Sequence, residues 1–448
     1  MQTSNRTLIA AIVAALGFTV AAPARAQQAS PTPTTPPATG AAATAADVLS
    51  NVTVYGTILP FLETIEINDA TRAAPANRPN QVGAAAYTGI GHPSRTRITS
   101  GTSNVGVKGH YDLPIGLRAW YQLESALQLD GDGNSTMWMG RNTGAGLTSQ
   151  KYGTLMLGRW DTPYKVIVLD LGPLRGLNPY DNALSGNPGF NTGVTITENG
   201  RVNKASDASF NRRQGNVVQY WSPKWHGLSG RVAYSVDEGR TADTTTASGT
   251  SPDLVSLALA YDRGGLSLRY GYELHNDYFG LSQLGGTKLD TATGLPPIAL
   301  SGSKDEGHEL VAAYKWHNTR LTAVYERLSY ENDDTTAAAV TEWERDGWYV
   351  SASQQFGAQL NHKVWLAGGM NEDGSCQANG VPCGTDGLGV TQLSVGYVYT
   401  LSKRTDLYAS AYQIANDESA SYAGFPPVGR VAPGSDTTGA GIGLLYTF

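Results

Sequence analysis

The residue types that enzymes use for catalysis are scattered through this chain without a recognisable arrangement. The sequence contains no G-x-S-x-G, Walker, H-E-x-x-H or G-x-G-x-x-G pattern, and its 7 histidines occur singly. Residues on distant strands can form a site that a linear scan does not detect, so an enzyme stays a remote alternative. We expect no catalysis and no cofactor.

The N-terminal segment and the net charge indicate an exported protein that does not bind nucleic acid. Residues 1–26 contain an apolar run and end at the A-x-A pattern Ala24-Arg25-Ala26, which predicts a cleaved signal peptide. Residues 27–50 are rich in proline and alanine and show no periodicity, which predicts a disordered periplasmic leader. The formal net charge of −6 argues against a nucleic-acid partner.

The only two cysteines, Cys376 and Cys383, lie in one loop-like stretch, NEDGSCQANGVPCGTDG. In an exported protein a pair this close in sequence predicts a local disulfide, and no further zinc ligands lie nearby. The stretch DGDGNST from Asp130 resembles the start of a calcium loop, but Arg141 stands where that motif requires Glu. We therefore predict a disulfide and no metal site.

From residue 51 onward the chain alternates apolar and polar residues in short segments. In GLSLRYGYELH, Leu266 and Leu268 share one face, and Arg269 and Glu273 share the other. We count sixteen such segments, joined alternately by short and long connections. Short turns at one end, long loops at the other and an even strand number are typical of a bacterial transmembrane barrel. The sequence therefore predicts an all-β fold over residues 51–448, a sixteen-stranded antiparallel transmembrane β-barrel.

The last ten residues, GAGIGLLYTF, form the final predicted strand. Its apolar face carries the side chains of Ala440, Ile442, Leu444, Tyr446 and Phe448. In a closed barrel this strand must pair with the first strand, because hydrocarbon offers no partner to an open edge. We expect the apolar face to meet lipid, with its two aromatic rings at the membrane interface.

Several segments resemble the general porins of Gram-negative bacteria, in particular those of beta-proteobacteria. They are SNVGVKGHYDLPIGLRAWYQLESALQLDGDG (103–133), KYGTLMLGRWDTPY (151–164), GNVVQYWSPKWHGLSGRVAYS (215–235), GYVYTLSKRTDLYASAY (396–412) and the strand ending in Phe448. The resemblance implies a homotrimer in the outer membrane whose third long loop folds into the lumen as a constriction. It also implies that Tyr446 and Phe448 form the signal read by the outer-membrane assembly machinery.

The resemblance further implies a set of basic residues at the constriction. In such porins a ladder of arginine and lysine on the wall faces acidic residues of the inserted loop, and the field between them selects solutes. Arg159 in LGRWDTP, and Arg212 and Arg213 before NVVQYW, occupy ladder positions of the family. Thr57 and Asn104 stand where the family often has basic or polar residues and an arginine respectively, so the ladder is thinned.

The segment from residue 162 to residue 211 corresponds to the family's constriction loop. Charged side chains at the narrowest point of a channel are a source of ion selectivity. Asp170 and Asp181 are the candidates for the acidic side of the constriction. Further charged residues at lumen-facing positions of the strands, which either line the pore or are merely solvated, are Arg118, Glu124, Arg231 and Arg269.

These observations predict an outer-membrane channel for passive diffusion of ions and small hydrophilic solutes. Its expected partners are the other subunits of the trimer, outer-membrane lipid and lipopolysaccharide, and the assembly machinery. A channel specific for sugars or organic acids is the main alternative, because Tyr164, Tyr180 and Phe190 lie in the inserted loop. An adhesin or structural barrel with a plugged lumen is a further alternative.

Overall fold

A computed structural model describes the following parts of the chain: residues 51–67, 92–130, 138–173, 209–236, 249–283, 302–335, 339–420 and 434–448, with positions 240, 242, 243, 245, 300 and 422. The predicted signal peptide and leader lie outside the described residues, as does most of the stretch that resembles a calcium loop. Within the described ranges, no helix has the length and hydropathy needed to cross a membrane.

Twenty strands make up almost all of the regular structure described. They are β1 (Val52–Ile58), β2 (Phe61–Ile67), β3 (His92–Thr99), β4 (Asn104–Asp112), β5 (Arg118–Ala126), β6 (Thr143–Ser149), β7 (Gly153–Asp161), β8 (Arg213–Trp221), β9 (Leu228–Ser235), β10 (Asp253–Arg263), β11 (Leu266–Asn276), β12 (Ser303–Trp316), β13 (Thr319–Asn332), β14 (Glu342–Phe356), β15 (His362–Asn371), β16 (Ser375–Ala378), β17 (Val381–Cys383), β18 (Val390–Ser402), β19 (Thr405–Asn416) and β20 (Thr437–Thr447). A single-turn helix α1 (Pro163–Val166) and a 3-10 helix (Gly280–Gln283) accompany them.

The strands form one closed antiparallel sheet with sixteen positions around its wall. β1 and β2 share the first position, and β3 and β4 share the second. β16 and β17 form a hairpin that pairs with β14 outside the circuit. Every other strand pairs with its neighbours in the circuit, and β20 pairs with β19 on one side and with β1 and β2 on the other. The predicted sixteen-stranded antiparallel barrel is confirmed.

The hairpin of β16 and β17 carries the two cysteines. Cys376 and Cys383 face each other across the hairpin with their Cα atoms 5.2 Å apart, and a disulfide joins them. Trp343 of β14 is the cross-strand neighbour of Cys376. The disulfide therefore stabilises a connection beyond the wall, within the loop where the sequence predicts it.

The first wall strand is interrupted at Leu59 and Pro60. Proline has no N–H for the ladder, so it weakens a continuous strand at this point. The N–H of Leu59 donates instead to Oγ of Ser103, 2.8 Å away, and the Leu59 side chain is fully buried. Ser103 lies in the interruption between β3 and β4, so the two breaks stand side by side and stabilise each other.

The two faces of the wall differ as the alternation predicts. The outward side chains of Leu268, Leu310 and Val350 are 45%, 53% and 60% exposed. The inward side chains of Glu309 and Glu326, on the same strands as Leu310 and its cross-strand neighbour, are at most 1% exposed. In water such an apolar outer surface would be a large uncovered patch, whereas in lipid it is solvated.

The last strand closes the sheet onto the first. The N–H of Gly56 donates to the carbonyl of Phe448 over 3.3 Å, and the N–H of Phe448 donates to the carbonyl of Gly56 over 3.1 Å. Tyr446 and Phe448 point outward, 38% and 39% exposed, with ring centroids 6.1 Å apart. This geometry agrees with the expected position of the two rings on the outer surface.

Several glycines stand directly opposite an aromatic residue on the neighbouring strand. Gly439 pairs with Tyr412, and a Cβ at Gly439 would lie 2.4 Å from the tyrosine ring. Gly443 and Tyr408 repeat the arrangement, with 2.2 Å between the added atom and the ring. The aromatic ring therefore covers the glycine, and a side chain at that position has no room.

We expect Gly439→Val to lower the free energy of unfolding by about 1–3 kcal/mol, because the new side chain overlaps the Tyr412 ring. Urea titration of the detergent-solubilised protein, followed by tryptophan fluorescence, measures this change. Gly215→Val is the matched control, because no atom lies within 4 Å of an added Cβ there. Equal destabilisation by the two substitutions would contradict the assignment of steric overlap.

Candidate functional site: the lumen wall and the loop anchor

Charged side chains on the inward face of the first strands are paired with opposite charges. Arg118 is 1% exposed, and its Nη2 donates to Oδ2 of Asp112 over 3.0 Å. Glu124 is likewise 1% exposed; it accepts from Nε of Arg141 at 2.6 Å and from the hydroxyl of Tyr55 at 2.9 Å. Arg118 and Glu124 thus lie on the inward face of the wall, and each is already neutralised by a neighbour.

A group of buried ionisable side chains covers the inward face of β11, β12 and β13. All are at most 1% exposed, and they are Glu273, His275, Asp305, Glu309 and Glu326. Nη2 of Arg345, on β14, donates to Oε2 of Glu326 over 3.0 Å. Buried carboxylates of this kind need partners, so the segment packed over them must supply polar groups.

The segment after β7 supplies some of those polar groups. The side chain of Thr162 caps α1 by accepting from the N–H of Lys165 at 3.4 Å. The N–H of Tyr164 donates to Oγ of Ser256 on β10 over 3.0 Å. Its hydroxyl donates to Oε1 of Glu326 on β13 over 2.9 Å. This first turn of the long connection therefore lies against the inner wall of the barrel.

Two inward glycines make room for this packing. A Cβ on Gly271 would lie 2.8 Å from Cδ1 of Ile167, and a Cβ on Gly307 would lie 2.7 Å from Cδ1 of Phe210. Phe210 belongs to the returning end of the same connection, and its ring centroid is 5.5 Å from that of Tyr164. Both ends of the connection are therefore seated against one patch of the wall.

Asp170 forms the most extensive polar contact between this connection and the wall. Its carboxylate pairs with the guanidinium of Arg269, whose Nη2 lies 2.9 Å from Oδ2 of Asp170 and 3.3 Å from Oδ1 of Asp262. The same guanidinium donates to the carbonyl of Ile167 over 2.9 Å. Nη1 of Arg320 donates to the carbonyl of Asp170 at the same distance. The structure thus joins Asp170 to Arg269, two residues that the sequence singles out separately.

Arg212 and Arg213 lie next to each other at the returning end of the connection. Arg212 is 1% exposed, and its guanidinium lies 4.7 Å from the ring centroid of Tyr278. Arg213 is more accessible, and its Nη2 lies 3.0 Å from Oδ1 of Asp161. Arg212 is therefore enclosed by protein, whereas Arg213 forms an ion pair with Asp161 of the preceding strand.

Arg159 lies on the outer side of the wall. It follows Leu155 and Leu157 at two-residue spacing, and these leucines are 48% and 59% exposed. It borders a depression on that side together with Tyr121 and Trp138. Because a strand turns alternate residues to opposite faces, this placement argues against a position of Arg159 in the lumen ladder, which stays a prediction.

A tryptophan cluster on the inner face was not predicted from the sequence. The rings of Trp120, Trp160 and Trp221 come from β5, β7 and β8, and their centroids are 5.4 to 5.9 Å apart. The guanidinium of Arg231 on β9 lies 5.2 Å from the ring centroid of Trp221. Each tryptophan occupies an inward position of its strand, which the alternation signals, but only the folded sheet brings the three together.

Asp181 and residues 174–208 are not among the described residues, so the prediction that Asp181 contributes to the constriction stays a prediction. The described portion of the connection ends at residue 173 and resumes at residue 209.

Comparison with known proteins places the chain in a family. A family model described as Gram-negative porin matches residues 10–419. Outer membrane porin protein 32 of Delftia acidovorans is 26% identical over 358 residues, covering 78% of this chain and 86% of that protein. The major outer membrane protein P.IA of Neisseria meningitidis serogroup A is 25% identical over 397 residues, covering 81% and 89% respectively.

Solved structures show the same fold. The anion-selective porin from Comamonas acidovorans superposes with a TM-score of 0.61 at 20% identity, over 89% of this chain and 99% of that one. A trimer form of OmpT of Vibrio cholerae superposes with a TM-score of 0.55 at 15% identity, over 89% and 99%. The closed sixteen-position sheet, its apolar exterior and the family match together establish that this chain belongs to the Gram-negative porins, outer-membrane β-barrel proteins.

Proposed function

We propose that this protein is a passive channel through which ions and small hydrophilic solutes diffuse across the outer membrane. The observation that carries this proposal is the inverted wall of the barrel, which turns leucine and valine outward and arginine, glutamate and glutamine inward. Such a wall is stable with lipid outside and water inside. Nothing in this mechanism requires bond making, and we propose no catalytic activity.

The long connection between β7 and β8 is the proposed constriction. Its two ends are seated against the inner wall through Tyr164 and Phe210, which supports a path of the intervening segment across the lumen. We assign Asp170 and Arg269 to its rim, with Arg212 and Arg213 at its returning end. Asp181 is a further acidic candidate. Charges held at a rim of this kind set ion selectivity through their net local field.

We further propose that the functional unit is a homotrimer embedded in outer-membrane lipid and lipopolysaccharide. The trimer form of a structurally similar outer-membrane protein supports the oligomeric state. The outward aromatic residues Tyr446 and Phe448 are proposed to be read by the assembly machinery, and their exposure on the last strand supports this role.

The proposed channel function is tested by adding purified protein to a planar lipid bilayer. We expect stepwise increases in conductance that scale with salt concentration, because ions move through water. Incubation with ester and peptide substrates should give no turnover. A folded protein that inserts without conducting would contradict the channel, and turnover would favour a barrel enzyme.

We expect Arg269→Gln to shift the reversal potential in a potassium chloride gradient toward cation selectivity, because it leaves the carboxylates of Asp170 and Asp262 without their guanidinium. Asp170→Asn should shift it toward anions. Arg327→Gln is the matched control for Arg269→Gln, since Arg327 pairs with Glu344 on the outer face. Identical reversal potentials for wild type and both lumen variants would show that these two residues do not set ion selectivity at the constriction.

We expect Arg159→Gln to leave both reversal potential and single-channel conductance unchanged, because Arg159 shares the outward face of Leu155 and Leu157. Measurement in the same potassium chloride gradient checks this. A shift toward cations as large as that of Arg269→Gln would show that Arg159 faces the lumen and would contradict its outward placement.

A further inference from the structure

Arg231 differs from Arg118, Arg213 and Arg269 of the inner wall in what it contacts. Arg118, Arg213 and Arg269 each form an ion pair with a carboxylate. The Arg231 guanidinium contacts the ring of Trp221. It forms no ion pair with any of the described residues. Its positive charge is therefore not neutralised by direct contact within the described wall.

The charges that surround Arg231 are already engaged elsewhere. Arg269, Asp170 and Asp161 are charged groups near enough to act on Arg231 electrostatically. Asp170 is paired with Arg269, and Asp161 is paired with Arg213 and Lys165. A carboxylate that arrives from solution at Arg231 would therefore not have to displace an existing ion pair.

Trp221 covers one face of the Arg231 guanidinium. Arg231 and Trp221 are direct cross-strand neighbours, and both are partly exposed. A guanidinium that rests on an aromatic ring keeps its N–H donors free at its edge, where a carboxylate can bind through two parallel hydrogen bonds. A lysine in this position would supply only a mobile point charge.

The other two tryptophans extend the apolar surface behind this pair. Trp120 and Trp160 are 7% and 5% exposed and pack with Met156 and Val217. Among the described side chains, Nε1 of Trp120 has no hydrogen-bond partner although it is buried. The result is a cation beside a rigid aromatic surface, on the face of the wall that solutes pass.

We propose that Arg231 and Trp221, supported by Trp120 and Trp160, form a binding subsite for aromatic carboxylates on their way through the channel. The carboxylate would bind the guanidinium fork, and the flat ring of the solute would pack against the tryptophan surface. A sugar would not need the cation, and chloride would not use the aromatic surface. This proposal rests on the channel function proposed above.

Benzoate and acetate distinguish the two parts of the subsite, because they share a carboxylate and differ in the ring. In wild-type channels in a planar bilayer, we expect benzoate to reduce the chloride current saturably. Acetate should require a concentration higher by about three- to tenfold for the same reduction, since an aromatic contact contributes modestly beyond charge. Equal potency of the two anions would overturn the aromatic part of the proposal.

Three variants assign the effect to the named residues. Arg231→Gln should abolish the reduction by benzoate and shift the reversal potential toward cations. Arg231→Lys should keep the chloride selectivity and lose most of the benzoate effect, because it keeps the charge and removes the fork. Trp221→Leu should keep the chloride selectivity and make benzoate and acetate equally potent. Unchanged benzoate inhibition in Arg231→Gln would overturn the subsite.

The matched controls carry the same changes on the outer face. Arg327→Gln and Trp348→Leu substitute residues that point away from the lumen, with 48% of Trp348 exposed. Both should behave as wild type, and benzoate effects lost in these controls would show that the result is not specific to the lumen. If wild-type channels conduct but benzoate does not reduce their chloride current, only the subsite is refuted. If the folded protein inserts without conducting, the channel function is refuted.

Discussion

The whole structure depends on the requirement that every backbone N–H and C=O in hydrocarbon find a partner within the protein. Lipid offers no hydrogen bonds, so a sheet in the membrane is stable only when its two edges meet. Here β20 meets both halves of the first wall strand, through Gly56 and Phe448 at one end and the β2 ladder at the other. Once the sheet is closed, each strand has an outer and an inner face, and alternating side chains follow.

The same closure creates a problem inside, because the inner face carries many charged groups in a confined space. Local ion pairs neutralise some of these charges, and the connection between β7 and β8 supplies polar partners to others. Tyr164 brings a hydroxyl to Glu326, and Asp170 brings a carboxylate to Arg269. Gly271 and Gly307 leave the space in which this connection lies. The packing that buries the acids of β11 to β13 is therefore also the packing that positions the proposed constriction.

The positions of all sixteen wall strands follow from the period of two and from the alternation of short and long connections, because both are local properties of the sequence. The break at Leu59 and Pro60 was not predicted, since alternation continues on either side of it. The outward position of Arg159 could have been read from Leu155 and Leu157, which share its phase; the family resemblance led to the opposite placement.

The partners across the lumen could not be predicted. Asp170 and Arg269 are 99 positions apart, and Tyr164 and Glu326 are 162 apart. Their contacts depend on how one irregular connection packs against the wall, and irregular backbone leaves no period in the sequence. The tryptophan cluster has the same origin, because three separate strands each contribute one ring.

The split first strand also divides mechanical load. β2 pairs with β20 along all of Phe61–Ile67, whereas β1 meets the end of the last strand only from Gly56 to Ile58 and pairs with β4 from Val52 to Thr57. A force applied to the chain ahead of β1 is therefore borne first by the ladder between β1 and β4. Peeling of β1 from β4 would reach the last strand only at Gly56, so the ladder between β2 and β20 bears this tension last.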